Sequence, residues 1–144
     1  MSNSCNNTLI VKGSEEALKN FIKFNIGYPA IYGESTMQKC FCFNALVPTP
    51  LSVVEFGYDK SDELSEEVKR NACKGKTLFP IDGYYWNIAN WGVKWDIYND
   101  KLTEKDFEWS DDKKCISIFF ITAWYPPSLW VKNIGKLFKN LDIH

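Results

Sequence analysis

Tyr84-Tyr85-Trp86-Asn87-Ile88-Ala89-Asn90-Trp91-Gly92-Val93-Lys94-Trp95-Asp96 puts three of the six tryptophans and two tyrosines into one short run. Aromatic rings bring large apolar surface, defined stacking geometry and, in Tyr and Trp, a polar handle. Asp82 is placed to cap a helix running to Trp91, and Gly92 to close it in a left-handed conformation. A strand from Val93 to Tyr98 is expected next. In it Val93, Trp95 and Ile97 share an inward face, and Lys94, Asp96 and Tyr98 share the other. On this reading Trp95 is a core ring. Trp91, at the helix end, is less enclosed, and Lys94 reaches solvent or a ligand.

Outward from this corner the pattern alternates between strands and helices. Downstream, Phe107-Glu108-Trp109 and Lys114 to Ile121 form a hairpin turning at Ser110-Asp111-Asp112. Pro126, Pro127 and Ser128 open a last helix with apolar positions Trp130, Ile134, Leu137 and Phe138. Leu141-Asp142-Ile143 gives only a stub of a final strand. Upstream, Thr8-Leu9-Ile10-Val11 is a strand closed by Gly13. Ser14 caps a helix with Glu15 and Glu16 in its first turn and Ala17, Leu18, Phe21 and Ile22 at helical spacing. Cys40 to Leu46 alternates, with Phe41, Phe43 and Ala45 on one face and Cys40, Cys42 and Asn44 on the other, and predicts a strand ended by Pro48 and Pro50. Ser61 to Cys73 predicts a polar helix with a stripe of Leu64, Val68 and Ala72. The order predicts an α+β fold, a mainly antiparallel sheet with helices on one face.

The 144 residues suit one domain, and 45% hydrophobic residues can fill a core. Formal net charge is −1, and no run of basic residues reaches four. Duplex nucleic acid, which needs many phosphate contacts, is excluded on this ground, whereas a mononucleotide or short single strand needs less charge and more stacking. No segment approaches a membrane span of about 20 apolar residues. The first residues lack the basic and apolar regions of a signal peptide, so a cytoplasmic location is expected. The five cysteines are odd in number and irregularly spaced, which fits reduced thiols.

Four motifs together carry a family resemblance. They are Cys5-Asn6-Asn7-Thr8-Leu9-Ile10-Val11-Lys12-Gly13, Phe43-Asn44-Ala45-Leu46-Val47-Pro48-Thr49-Pro50, Asn90-Trp91-Gly92-Val93-Lys94-Trp95-Asp96 and Thr122-Ala123-Trp124-Tyr125-Pro126-Pro127. In order and spacing the chain resembles the YubB ferredoxin-like domain family of phages and plasmids. The resemblance implies a single ferredoxin-like domain over residues 1–144 with a helical insertion at about 51–92, and an origin in a mobile element. It implies no catalytic residues. Val93 and Tyr125 stand where the family usually has Thr and Ser. The chain also stops where a ferredoxin-like plan wants its last strand, so an edge is expected to be open or completed by a second protomer, giving a homodimer.

Two groups of residues are candidates for binding. Trp86, Trp91 and Trp95 could stack a nucleobase, with Asn90 reading its edge and Lys94 facing a phosphate. The same rings could equally pack the helix–strand corner into the core, with Asn90 satisfying backbone groups at the helix end. Trp124 and Tyr125 precede a helix N-terminus, which could hold an anion, or they form a rigid aromatic turn. Cys40 and Cys42 read as packed thiols. The only histidine is His144, which leaves no zinc-ligand set and no His-based catalytic scheme. Lys74-Gly75-Lys76 reads as a helix end, lacking the second glycine of a phosphate loop. No metal, cofactor or catalytic residue is expected. The expected function is non-enzymatic binding by a phage or mobile-element accessory protein in counter-defence. Its ligand is a nucleotide-derived signal held in an aromatic pocket through Trp86, Asn90, Trp91, Lys94, Trp124 and Tyr125. The alternative is a protein–protein inhibitor of a host defence protein that uses exposed aromatics. A pocket with stacked rings and a cation favours the first; a flat apolar patch favours the second.

Overall fold

The computed structural model describes residues 3–29, 38–97 and 101–144. Two long strands form its centre, β1 (Ser4–Lys12) and β5 (Cys115–Ala123), paired antiparallel from Ser4↔Ala123 to Lys12↔Cys115. The short β4 (Glu108–Trp109) flanks β5, and β6 (Asp142–Ile143) flanks β1, giving a four-stranded antiparallel sheet in the order β4-β5-β1-β6. Side chains alternate across this sheet as the period of two requires. Leu9, Val11, Ile116, Ile118 and Phe120 are buried, whereas Thr8, Lys12, Phe119 and Ile121 are exposed on the outer face.

Helices cover the inner face. α1 (Glu15–Phe24) begins where Ser14 Oγ accepts a hydrogen bond from the Ala17 N–H at 3.2 Å, and it buries Leu18, Phe21 and Ile22. α5 (Ser128–Leu137) buries Trp130 and Ile134. Between them in sequence come α2 (Leu51–Phe56), α3 (Glu66–Cys73) and α4 (Gly83–Asn90). These three deliver Val53, Val68, Ala72, Trp86 and Ala89 to the same core. The core is an aromatic hub: Phe43 lies 4.8 Å from Trp130, 5.7 Å from Trp91 and 6.0 Å from Phe120, centroid to centroid. Phe41 meets Phe107, Phe120 and Trp130 edge-on. Such ring pairs contribute about 0.5–1.5 kcal/mol each beyond the area they bury.

The structure corrects several expectations. Cys40 to Leu46 is not one strand. Only β3 (Cys40–Phe41) pairs, with β2 (Ile26–Gly27), in a separate two-stranded ribbon. The chain then enters a 3-10 turn at Phe43–Ala45. Cys40, Phe41, Cys42 and Phe43 are all buried, so the supposed two faces do not exist. The polar helix starts later than expected, at Glu66, because Ser65 caps it by accepting from the Val68 N–H, and Ser61–Glu63 is a separate 3-10 turn. No strand forms over residues 93–97, and Tyr98 lies outside the described residues. On α5, Leu137 is exposed rather than buried.

Candidate functional site

α4 forms as its sequence suggests. The Asp82 carboxylate accepts from the Tyr85 N–H at 2.9 Å, and Gly92 turns the chain with φ +83°. Beyond Gly92 the path of the chain is set by Asp96. Its buried carboxylate accepts from the backbone N–H groups of Phe43 (2.6 Å), Asn44 (3.1 Å) and Ile97 (2.8 Å). The Lys94 carbonyl accepts from Tyr58 Oη and from Asn87 Nδ2, both at 2.8 Å. These side chains hold the backbone of 93–97 in an irregular path that no strand ladder could share.

That path reverses the expected roles of the tryptophans. Trp91 is 0% exposed; its Nε1–H donates to the Val47 carbonyl at 2.9 Å, and its ring stands edge-on to Trp86 at 5.6 Å. The expectation that Trp91 is loosely enclosed is therefore corrected. Trp86 is buried as well. Asn90 is engaged locally: its Nδ2 donates to Thr77 Oγ1 and the Trp86 carbonyl, and its own carbonyl accepts from Asn133. Trp95, expected in the core, is 42% exposed. The period-of-two argument that put it inside fails because the segment is not extended.

Lys94, Trp124 and Tyr125 do come together at the surface, with Trp95 added. The Lys94 ammonium lies 4.5 Å from the Trp95 ring centroid and 5.4 Å from that of Trp124. Trp124 is 48% and Tyr125 65% exposed. A cation held over two indoles gains about 0.5–1 kcal/mol per contact at exposed sites. Trp124 presents its ring from a left-handed backbone, φ +69°. The turn is fixed from beneath: Thr122 Oγ1 donates to the Tyr125 carbonyl at 2.6 Å and accepts from Asn7 Nδ2 at 2.9 Å. A bulky residue held at positive φ is a strained element of the kind that gathers at functional sites.

The α4–Gly92 corner also meets the start of α5. The Trp130 N–H donates to the Trp91 carbonyl at 3.2 Å, and a Cβ on Gly92 would stand 3.3 Å from the Leu129 nitrogen. The Ser128 N–H donates to the Pro126 carbonyl and the Val131 N–H to that of Pro127. The Val131 bond is the first of the helix's own ladder, and the Ser128 and Trp130 N–H groups, two of those that would greet an anion there, are thus already engaged.

Cys40 and Cys42 are buried thiols, and all five cysteines are free. Burial, then the nearby Asp96 carboxylate, pushes both thiols above their ordinary range. Among the described residues no cluster of His, Cys, Asp or Glu could hold a metal ion, and no helix is long and apolar enough to cross a membrane. Trp91, Trp95 and Asp96 are the residues of this region that pattern reading misassigned. The signal present was a lone carboxylate amid aromatics, which has to find N–H donors if it is to be buried. The chain matches no family model, no curated protein and no solved structure.

Proposed function

We propose that the chain is a non-enzymatic binding protein whose working surface is the exposed cluster Trp95–Lys94–Trp124–Tyr125, and that it docks there on another protein. One observation carries the reading: two half-exposed indoles flank one lysine, and one of them, Trp124, stands on a turn that is braced from beneath. Exposed Trp and Tyr on a fixed backbone are the residues that dominate protein interfaces. Two of the rings that an enclosed pocket would have used, Trp86 and Trp91, are packed in the core instead. A second reading, a nucleotide-type ligand, is favoured by the Lys94 ammonium between two ring systems, which suits a flat anion.

The wider setting is part of the proposal. The four-motif resemblance supports a phage or plasmid accessory protein acting in the host cytoplasm, with a host defence protein as the partner. A ferredoxin-like plan is supported by the sheet order β4-β5-β1-β6 with α1 after β1 and α5 between β5 and β6. In that plan α2 to α4 belong to the insertion between the first helix and the β4–β5 hairpin.

Native mass spectrometry of the protein recovered from host cells tests the proposal. A bound protein is expected on the wild type and lost from the Trp95→Ala/Trp124→Ala double variant. A bound nucleotide mass instead of a protein would select the second reading. Identical species on wild type and variant would remove the aromatic surface from either.

A further inference from the structure

The formal net charge of −1 conceals a strong asymmetry along the chain. Residues 55–67 hold six acidic residues against one lysine, whereas residues 69–81 hold four basic residues and no acidic one. Residues 126–141, which contain α5, hold three lysines and no acidic residue. The fold brings the two basic segments together. Just beyond α3, Gly75 turns the chain with φ +80°, and a Cβ there would stand 3.5 Å from the Leu129 side chain of α5. Asn133 of α5 donates to the Asn90 carbonyl at 2.9 Å, and Asn90 Nδ2 donates to Thr77 Oγ1 at 3.0 Å. Leu129, Lys132, Asn133 and Lys136 follow the spacing of one helix side, so Lys132 and Lys136 stand on the side of α5 that carries this contact. Arg70, Lys74, Lys76, Lys132 and Lys136 are all exposed, and among the described residues none of them forms an ion pair.

An apolar projection leaves the protein beside these cations. Leu78 is 36% and Phe79 61% exposed, and Pro80 is exposed next to them. The feet of the projection are fixed. Thr77 accepts from Asn90 on one side. On the other, Ile81 and Asp82 are buried, and the Asp82 carboxylate accepts from the backbone N–H groups of Lys60 and Tyr85. An apolar tip flanked by cations is complementary to a surface that is anionic at its face and apolar just beneath, which is what a bilayer of anionic phospholipid offers. We propose that this protein docks on an anionic lipid surface through residues 74–80, with Arg70, Lys132 and Lys136 in support. Leu78 and Phe79 enter the boundary between headgroups and acyl chains, while the basic side chains meet lipid phosphates. Single-stranded nucleic acid fits less well, because it asks for successive rings along a groove, and Phe79 is the only aromatic residue among 74–80. The patch shares no residue with the Trp95–Trp124 cluster, so the inference stands apart from the docking reading above.

Co-sedimentation of the full chain with vesicles tests the proposal. Binding is expected to vesicles of equal parts phosphatidylcholine and phosphatidylglycerol and not to pure phosphatidylcholine, and it should weaken as salt shortens the reach of the surface charge. Lys74→Gln/Lys76→Gln should lower the affinity for the anionic vesicles roughly 10- to 30-fold, because each basic residue near such a surface adds to the attraction. Phe79→Ser should lower it roughly 10-fold through lost apolar burial. All three side chains are exposed, so both variants should keep the melting temperature of the wild type. Leu78→Ser carries the apolar arm of the test if Phe79→Ser melts lower. Equal binding to neutral vesicles, no binding to either kind, or unchanged binding in the lysine or the apolar variant would overturn the proposal. So would binding of a single-stranded oligodeoxynucleotide without binding of vesicles, which would assign the patch to nucleic acid instead.

Discussion

Trp124 holds its ring toward solvent from a left-handed backbone, a conformation that costs an ordinary L-residue about 1–2 kcal/mol. Replacing it with glycine removes that cost, adds chain entropy to the unfolded state and loses an exposed cation–π contact. These effects oppose one another, so Trp124→Gly should stay within about 1 kcal/mol of the wild type in urea unfolding while losing the bound partner. Trp91→Ala is the contrasting case. Its ring is fully enclosed and its indole N–H bonds Val47, so a loss of about 3–5 kcal/mol is expected, the range for a large ring deleted from a core. If the two variants melted alike, the division between a surface aromatic and a core aromatic would be wrong. Asp96 belongs with Trp91. Asp96→Ala strands the N–H groups of Phe43, Asn44 and Ile97 and should cost at least about 2 kcal/mol, whereas Asp96→Asn, which keeps an acceptor oxygen, should cost less.

At the scale of elements, what could be read in advance depends on how local the cause is. α1 and α4 were legible because their starts are made by their own caps, Ser14 and Asp82, and α4's end by Gly92. The β1–β5 core was legible because alternation along a strand with one buried face is written in its own residues. Residues 93–97 were not, because their path is imposed by partners distant in sequence: Phe43 and Asn44 on Asp96, Tyr58 on the Lys94 carbonyl. Alternation in Val93, Trp95 and Ile97 was real but had no ladder to serve. The same long-range anchoring ended β3 after Phe41, since Phe43 turns toward Asp96. Of the candidate site, Lys94, Trp124 and Tyr125 reached the surface together, and only the tertiary structure could bring Trp95 to them. Gly92 tests the junction on which this depends. Its φ is +83°, and an added Cβ would press on the first backbone nitrogens of α5. Gly92→Ala should therefore lower stability by about 1–2 kcal/mol or more and disturb Lys94 beyond it. A variant as stable as the wild type would mean that α4 and α5 are not locked at this corner.

At the scale of the whole molecule, the buried thiols tie stability to alkaline pH. Cys40 and Cys42 sit in the core beside Asp96, and burial and that carboxylate raise both above the ordinary thiol value of 9.0. In the unfolded chain these thiols ionise near that value, while the folded protein keeps them protonated. The folded state therefore binds more protons above about pH 9, and stability must fall as pH rises. The contribution is complete below the unfolded value and is lost as pH climbs from there toward the folded one. Tyr85, raised by burial from 10.0, extends the fall to higher pH. The melting temperature should accordingly hold level between neutrality and about pH 8.5 and then decline, the unfolded thiol beginning to ionise there. Cys42→Ala should melt lower than the wild type at neutral pH, because it leaves a small void, yet decline less steeply above pH 9. Labelling reports the same burial independently. In native protein at mildly alkaline pH, exposed Cys73 should alkylate first and Cys40 and Cys42 last, and under denaturing, non-reducing conditions all five should react. A melting temperature indifferent to pH across the thiol range, or Cys42 labelling as fast as Cys73, would place these sulfurs outside the protected core.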